Sequence, residues 1–321
     1  MDIIDSRRLI KFGNSSHVVS LPSEWLKRHN LNKGDSIFLQ ENGNGELLLC
    51  PVIKDKVDDL KEIVINAENK DIKALDRELR SAYIKNYHFI KIIDKDLNSR
   101  LKDVKSIIYG LSSIEVVEQT PTKIVLKDFL DVRNISINNM VRQMDILIRS
   151  MIEDLKLGIK GKKDYESLYE RDLDVNKLYF LLWKVIQRAF SDGNFMRSLG
   201  TSYSQLVSYL WFVTNLEKIA DETKRISKIL AEIDLTKKQS SDLSDLFLNV
   251  EKDYLDLMKA NYNKDYKLAY DVAVSKEINI RKCDDFFEKN KGEPHIAKIV
   301  EKMKSFESYI SHMGRIITDL F

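Results

Sequence analysis

Two pairs of carboxylates stand four residues apart in stretches that are otherwise apolar. In the run TNLEKIADE, Glu217 and Asp221 lie beside Val213, Leu216 and Ala220, which fall on one helical stripe. In YERDLDVNKLYF, Glu170 and Asp174 just precede the stripe of Leu178, Leu181 and Val185. A carboxylate aimed at a core needs a metal, a basic partner or a raised pKa, because desolvating it alone costs several kcal/mol. Four carboxylates on adjacent helices could bridge hard or borderline cations. The same spacing also suits an ordinary solvated helix face.

A second concentration of chemistry is basic. Residues 1 to 33 carry six Lys or Arg against three acidic residues, although the whole chain is only at +2. Arg7, Arg8 and Lys11 lie on or just before the first strand-like run, while Lys27 and Arg28 end a short helical segment and Lys33 enters the next turn. Such clustering on a two-fold dimer is what neutralising duplex phosphates requires, and a solvated basic face is the alternative. The five histidines, His17, His29, His88, His295 and His312, are scattered. Cys50 and Cys283 have no metal or disulfide spacing. Glu-x-x-His, GxSxG, GxGxxG and GxxxxGKS are all missing, so redox, acyl-transfer and nucleotide chemistry have no motif to rest on. No enzyme is expected.

The elements that must position these residues fall into three regimes. A chain of 321 residues with 43% hydrophobic and 32% charged residues, four prolines and eleven glycines reads as helix-rich, globular and multidomain. It carries no signal-peptide h-region, and its longest apolar runs are too short for a membrane span; with two isolated cysteines, a reducing cytoplasm is the expected location. From Arg8 to about Pro51, LIKF, HVVSL, SIFLQ and ELLLC read as strands, PSEWLKRHN as a short helix, and NKGD and NGNG as turns. The candidate core of this unit is Leu9, Ile10, Phe12, Val18, Val19, Leu21, Trp25, Leu26, Leu31, Ile37, Leu39, Leu47 and Leu49. A unit of this size is marginal alone and should dimerise.

Between residues 57 and 130, strands KEIVI, HFIKII, SIEVVE and KIVLKDF alternate with amphipathic segments 71–86 and 97–109, which predicts an α/β linker domain. Beyond Val132 the period changes to that of helices. Ile137, Met140, Val141, Met144, Ile148, Met151, Ile152 and Leu155 draw one stripe, and five further helices are placed at about 165–190, 202–231, 237–260, 264–289 and 295–320. Six helices make two antiparallel three-helix groups, with the break near Asp234. The expected domains are therefore 1–54, 55–131, 132–234 and 235–321.

Two resemblances add to this reading. Residues 7 to 52, with a basic first strand, VVSLP leading into a short helix, and a GD turn before a hairpin, resemble the AbrB/SpoVT family of swapped-hairpin DNA-binding domains. That resemblance implies an interleaved homodimer contacting double-stranded DNA through Arg7, Arg8 and Lys11, with Asn14, Ser15 and Ser16 of the adjoining loop as secondary contacts. Residues 133 to 321 resemble the PhoU family of phosphate-signalling proteins, through NLEKIADE and DLDVNKLYF. The implied fold is a pair of three-helix bundles in which acidic pairs hold clustered metal ions.

The first bundle keeps both pairs, Glu170 with Asp174 and Glu217 with Asp221. In the second, Ser311 and Arg315 stand where one pair should be, and Glu277 is followed by Arg281. The resemblance thus implies at most one cluster, of divalent or iron ions, in the first bundle. Together the two resemblances imply a transcriptional regulator of phosphate uptake or homeostasis, with dimers free to pair further. The alternative is an adaptor that docks on a phosphate transporter or signalling kinase and uses the β module for dimerisation alone. A metal-dependent enzyme, requiring Glu170 or Glu217 for turnover, ranks last.

Overall fold

The computed structural model describes residues 6–41, 47–51, 60–130, 135–162 and 164–320. The expected turn at 42–45 and the expected domain limits at 54/55 and 131/132 lie outside the described residues. The chain divides into two compact units, 1–59 and 60–321.

In the first unit, β1 (Ile10–Phe12) pairs with β2 (Ser16–Val18) and β3 (Phe38–Glu41) with β4 (Leu47–Cys50), both antiparallel, with α1 (Ser23–Arg28) between the two ribbons. Gly13, at φ +67°, supplies the left-handed residue that the β1–β2 turn needs. The ribbons do not pair with each other. An isolated two-stranded ribbon is marginal in water. The expected core is not assembled within one chain: Leu9, Phe12 and Leu39 are 69%, 68% and 65% exposed, and α1 buries no residue.

The second unit begins with a mixed sheet. β5 (Glu62–Asn66) runs parallel to β6 (Phe89–Ile93) across the α2 (Ile72–Ile84) crossover. β7 (Ile114–Gln119) and β8 (Lys123–Asp128) then form a hairpin whose β8 lies antiparallel against β6, giving the order β5-β6-β8-β7. The period of two sends Ile65, Ile90, Ile92, Ile124 and Leu126 to one face, where Leu75, Leu79 and Tyr83 of α2 and Val104 and Ile108 of α3 (Leu101–Tyr109) bury them.

Six long helices follow: α4 (Ile137–Ile159), α5 (Tyr165–Ser191), α7 (Tyr203–Glu232), α8 (Lys237–Asn263), α9 (Tyr266–Lys289) and α10 (Pro294–Leu320), with the short α6 (Gly193–Ser198) before α7. Every residue of the predicted α4 stripe is buried. Ser202 with Gln205 and Thr236 with Gln239 form capping boxes that start α7 and α8. The buried side chains of all six long helices join in one cluster from Ile137 to Ile317, so the two expected three-helix groups share a single core. Close approach of α9 and α10 depends on Gly314, where a Cβ would stand 2.7 Å from the carbonyl oxygen of Ala269. No described helix is long and apolar enough to cross a membrane.

The sheet layer is bolted to α5. Phe180 packs into the sheet's core, with the Arg80 guanidinium 4.3 Å from its ring centroid, and Lys177 lies 3.9 Å from the ring centroid of Tyr109. Lys184, 1% exposed, is ion-paired with Asp128 of β8 and sits 4.1 Å from the ring centroid of Tyr83. Burial pulls its pKa down, and the Asp128 carboxylate opposes that shift.

Candidate DNA-binding module and acidic cluster

On the first hairpin the register decides which side chains share a face. Ile10 stands opposite Val18 and Phe12 opposite Ser16, so these apolar side chains occupy one face, while Lys11 opposite His17 occupies the other. Arg7 and Arg8 lie in the segment entering β1, Asn14 and Ser15 in the turn, and Ser16 at the start of β2, all exposed. All six expected DNA contacts therefore belong to one hairpin and its approach. On the second ribbon, Leu39, Leu47 and Leu49 share one face and are exposed. The unit thus couples a cationic edge to apolar faces that one chain leaves uncovered.

The four expected metal ligands are not brought together. Glu170 and Asp174 are exposed, whereas Asp172, between them, is 2% exposed. The reason is the register of α5: its first half buries Leu168, Asp172 and Val175, and Leu178 and Leu181 are only partly buried because the face carrying Phe180 and Lys184 is turned to the sheet layer. At i, i+4 and i+7 from Leu168, the inward carboxylate is Asp172.

Asp172 does meet the other expected pair. The Lys224 ammonium donates to Asp172 Oδ2 at 2.7 Å and lies 2.9 Å from Asp221 Oδ1, while Arg225 reaches Asp221 Oδ2 at 2.5 Å and Glu222 Oε1 at 2.9 Å. Burial raises the pKa of Asp172 against the pull of Lys224. Burial opposes the charge of Lys224 too, but its bonds to Asp172 and Asp221 leave its pKa raised. Glu217, half-buried, accepts no hydrogen bond among the described residues, and burial, then Asp221 and Asp172, push it up to about 7. An ammonium between two carboxylates is a different donor set from a metal cluster, and no group of three or more candidate ligands gathers among the described residues. As they stand, these residues compensate charge internally and do not fit a cluster.

In the second helical group, Ser311 is buried and donates to the carbonyl of Ala273 at 2.7 Å, while Glu277, Arg281 and Arg315 are exposed. Sequence reasoning missed the buried acids beside them. Asn279 Nδ2 donates to Asp253 Oδ2 at 2.8 Å and to Glu307 Oε1 at 3.1 Å, and Ser275 also donates to Asp253. Glu307 is 1% exposed, its Oε2 has no hydrogen-bond partner among the described residues, and burial with the nearby charge of Asp253 pushes it up to about 8. Asp145 of α4, also missed, accepts from Arg149, Tyr254 and Tyr262 at 2.9, 2.9 and 2.8 Å. The available signal was one of position: each acid sits within a buried apolar stripe, as Glu307 does among Met303, Phe306 and Ile310.

Comparison with known proteins finds one family model, described as "Antidote-toxin recognition MazE, bacterial antitoxin", matching residues 10–57. It supports the N-terminal hairpin module; no family match supports the PhoU resemblance of the helical region. No curated protein and no solved structure matches the chain.

Proposed function

We propose that the protein is a DNA-binding regulator that acts as a homodimer through its N-terminal module. One observation carries the reading: the hairpin that leaves Ile10, Phe12 and Val18 uncovered on one face presents Lys11 and His17 on the other, with Arg7 and Arg8 at its entry. Apolar faces of this kind are covered by a second copy, and the two-fold axis then duplicates the basic edges at a fixed spacing along a duplex. The similarity of residues 10–57 to the MazE family supports the module's class. The mixed sheet and helical body form the sensory part of the regulator. Control of phosphate uptake rests on the PhoU resemblance of residues 133–321.

The test is fluorescence anisotropy of full-length protein with duplexes from upstream of its own gene and of phosphate-transport genes, across a salt series. Removing three basic contacts per protomer in the Arg7→Ala/Arg8→Ala/Lys11→Ala variant should lower the slope of log K against log salt by about five. Light scattering should give a dimer mass for both proteins. Dimers that bind no duplex at low salt would overturn the regulator and favour the adaptor.

A further inference from the structure

Away from the acidic cluster, a cavity of about 620 Å³ opens where the first turn of α4, the 198–201 loop ahead of α7 and the end of α8 converge. Its described lining includes two basic residues, Arg142 and Lys264, and no carboxylate. That sign is unusual for this body, where Arg149, Lys156, Arg171 and Lys224 each find an acidic partner. Arg142 makes no ion pair among the described residues; its guanidinium lies 5.9 Å from the ring centroid of Tyr262. The acid nearest it along α4, Asp145, is taken up by Arg149, Tyr254 and Tyr262.

The rest of the wall is polar. Tyr209 donates to Asn138 Oδ1 at 3.2 Å, and the side-chain amides of Asn138, Asn139 and Gln205 line the cavity beside the apolar Ile135 and Leu199. Ser136 caps α4 by accepting from the amide of Asn139, which leaves the amides of Ile137 and Asn138 without a partner among the described residues. A guanidinium with no acidic partner among the described residues, amide donors and the positive end of a helix dipole together select an oxyanion. The volume lies within the range of sites for small organic molecules, and the mixed wall suits an anion carried on an organic body.

We infer that this cavity binds an organic phosphate, its phosphoryl group held by Arg142 and its organic part lying between the α6–α7 loop and the end of α8. The site joins three separate stretches of chain, one of them the helix that follows the sheet layer. A ligand here would hold the start of α4, the approach to α7 and the end of α8 in one arrangement. The inference is independent of DNA binding, and its test uses no DNA.

Isothermal titration of full-length protein with AMP, glucose 6-phosphate and 3-phosphoglycerate, each beside adenosine, glucose or glycerate, reads the selectivity directly. At least one phosphate should bind ten-fold or more tightly than its parent, with one site per protomer and inorganic phosphate weaker. Arg142→Gln should weaken that ligand at least ten-fold, Arg142→Lys less, with both free variants melting as the parent does because Arg142 is exposed. The inference is overturned if no phosphate is preferred to its parent, if inorganic phosphate binds as tightly, or if Arg142→Gln leaves the affinity unchanged.

Discussion

Replacing Glu307 by Gln should make the protein more stable in alkaline solution and remove much of its pH dependence. The carboxyl is buried in the helical core, one oxygen is bonded by Asn279 and the other has no hydrogen-bond partner among the described residues. Its pKa rises from the ordinary 4.5 to about 8 in the folded chain. A raised carboxyl pKa means that the folded state holds the proton more tightly than the unfolded state. This contribution to stability is full below about 4.5 and is lost as pH rises to about 8. At about 1.4 kcal/mol per pH unit the whole effect approaches 5 kcal/mol, of which roughly 3 falls between pH 6 and pH 9. An amide of the same shape does not titrate. Across that interval, thermal melting followed by circular dichroism should show the parent losing roughly 6–12 °C more than Glu307→Gln, at about 2–4 °C per kcal/mol for a body of this size. Glu217, pushed up to about 7, gives both proteins a residual slope of the same sign, so the difference between the curves isolates Glu307. Parallel melting curves from pH 6 to pH 9 would refute the reasoning.

Two further substitutions probe how the second unit is held together. Asp128→Asn strands the Lys184 ammonium, 1% exposed, without its counter-charge, and should cost about 3–5 kcal/mol in urea denaturation. The double variant Asp128→Leu/Lys184→Met, which removes both charges, should recover most of that loss; a double variant as unstable as the single one would contradict the ion-pair account. Gly314→Ala gains helix propensity but drives a methyl to 2.7 Å from the carbonyl oxygen of Ala269 and 3.1 Å from Ala273 Cβ. Overpacking of this kind typically costs about 1–3 kcal/mol, so the melting temperature should fall, and an unchanged or raised value would show that α9 and α10 can separate freely.

Helices were the most legible part of the chain. A stripe such as Met140, Met144, Ile148, Met151 and Leu155 repeats over many turns, and caps such as Thr236 with Gln239 mark the starts. Strands of the mixed sheet were also readable, but their order was not, since β6 pairs with β8 across 29 intervening residues that hold α3 and β7, a choice of neighbour that periodicity does not constrain. Which acid of α5 points inward is not legible from the stripe that follows it. Leu178 and Leu181 suggest the inward stripe of α5, yet that helix serves two neighbours, and the sheet layer claims the face of Phe180 and Lys184. A period of 3.6 residues gives a direction only when one face is buried; on α5 the burial of Leu168 and Val175 fixes Asp172 as the inward acid. The apolar faces of the N-terminal ribbons are legible from their alternation, but one chain leaves those faces exposed.

That last feature reaches into the life of the chain. The two ribbons precede the helical body along the chain, and in the proposed homodimer their apolar faces are covered only when another copy is met. Assembly of such a dimer would be second order in chain concentration, so the stability of the module would rise with abundance while that of the helical body, closed around its own core, would not. A cell with few copies would then contain folded helical bodies carrying unpartnered hairpins, and the fraction able to bind a duplex as the proposed dimer would grow more steeply than the number of molecules made.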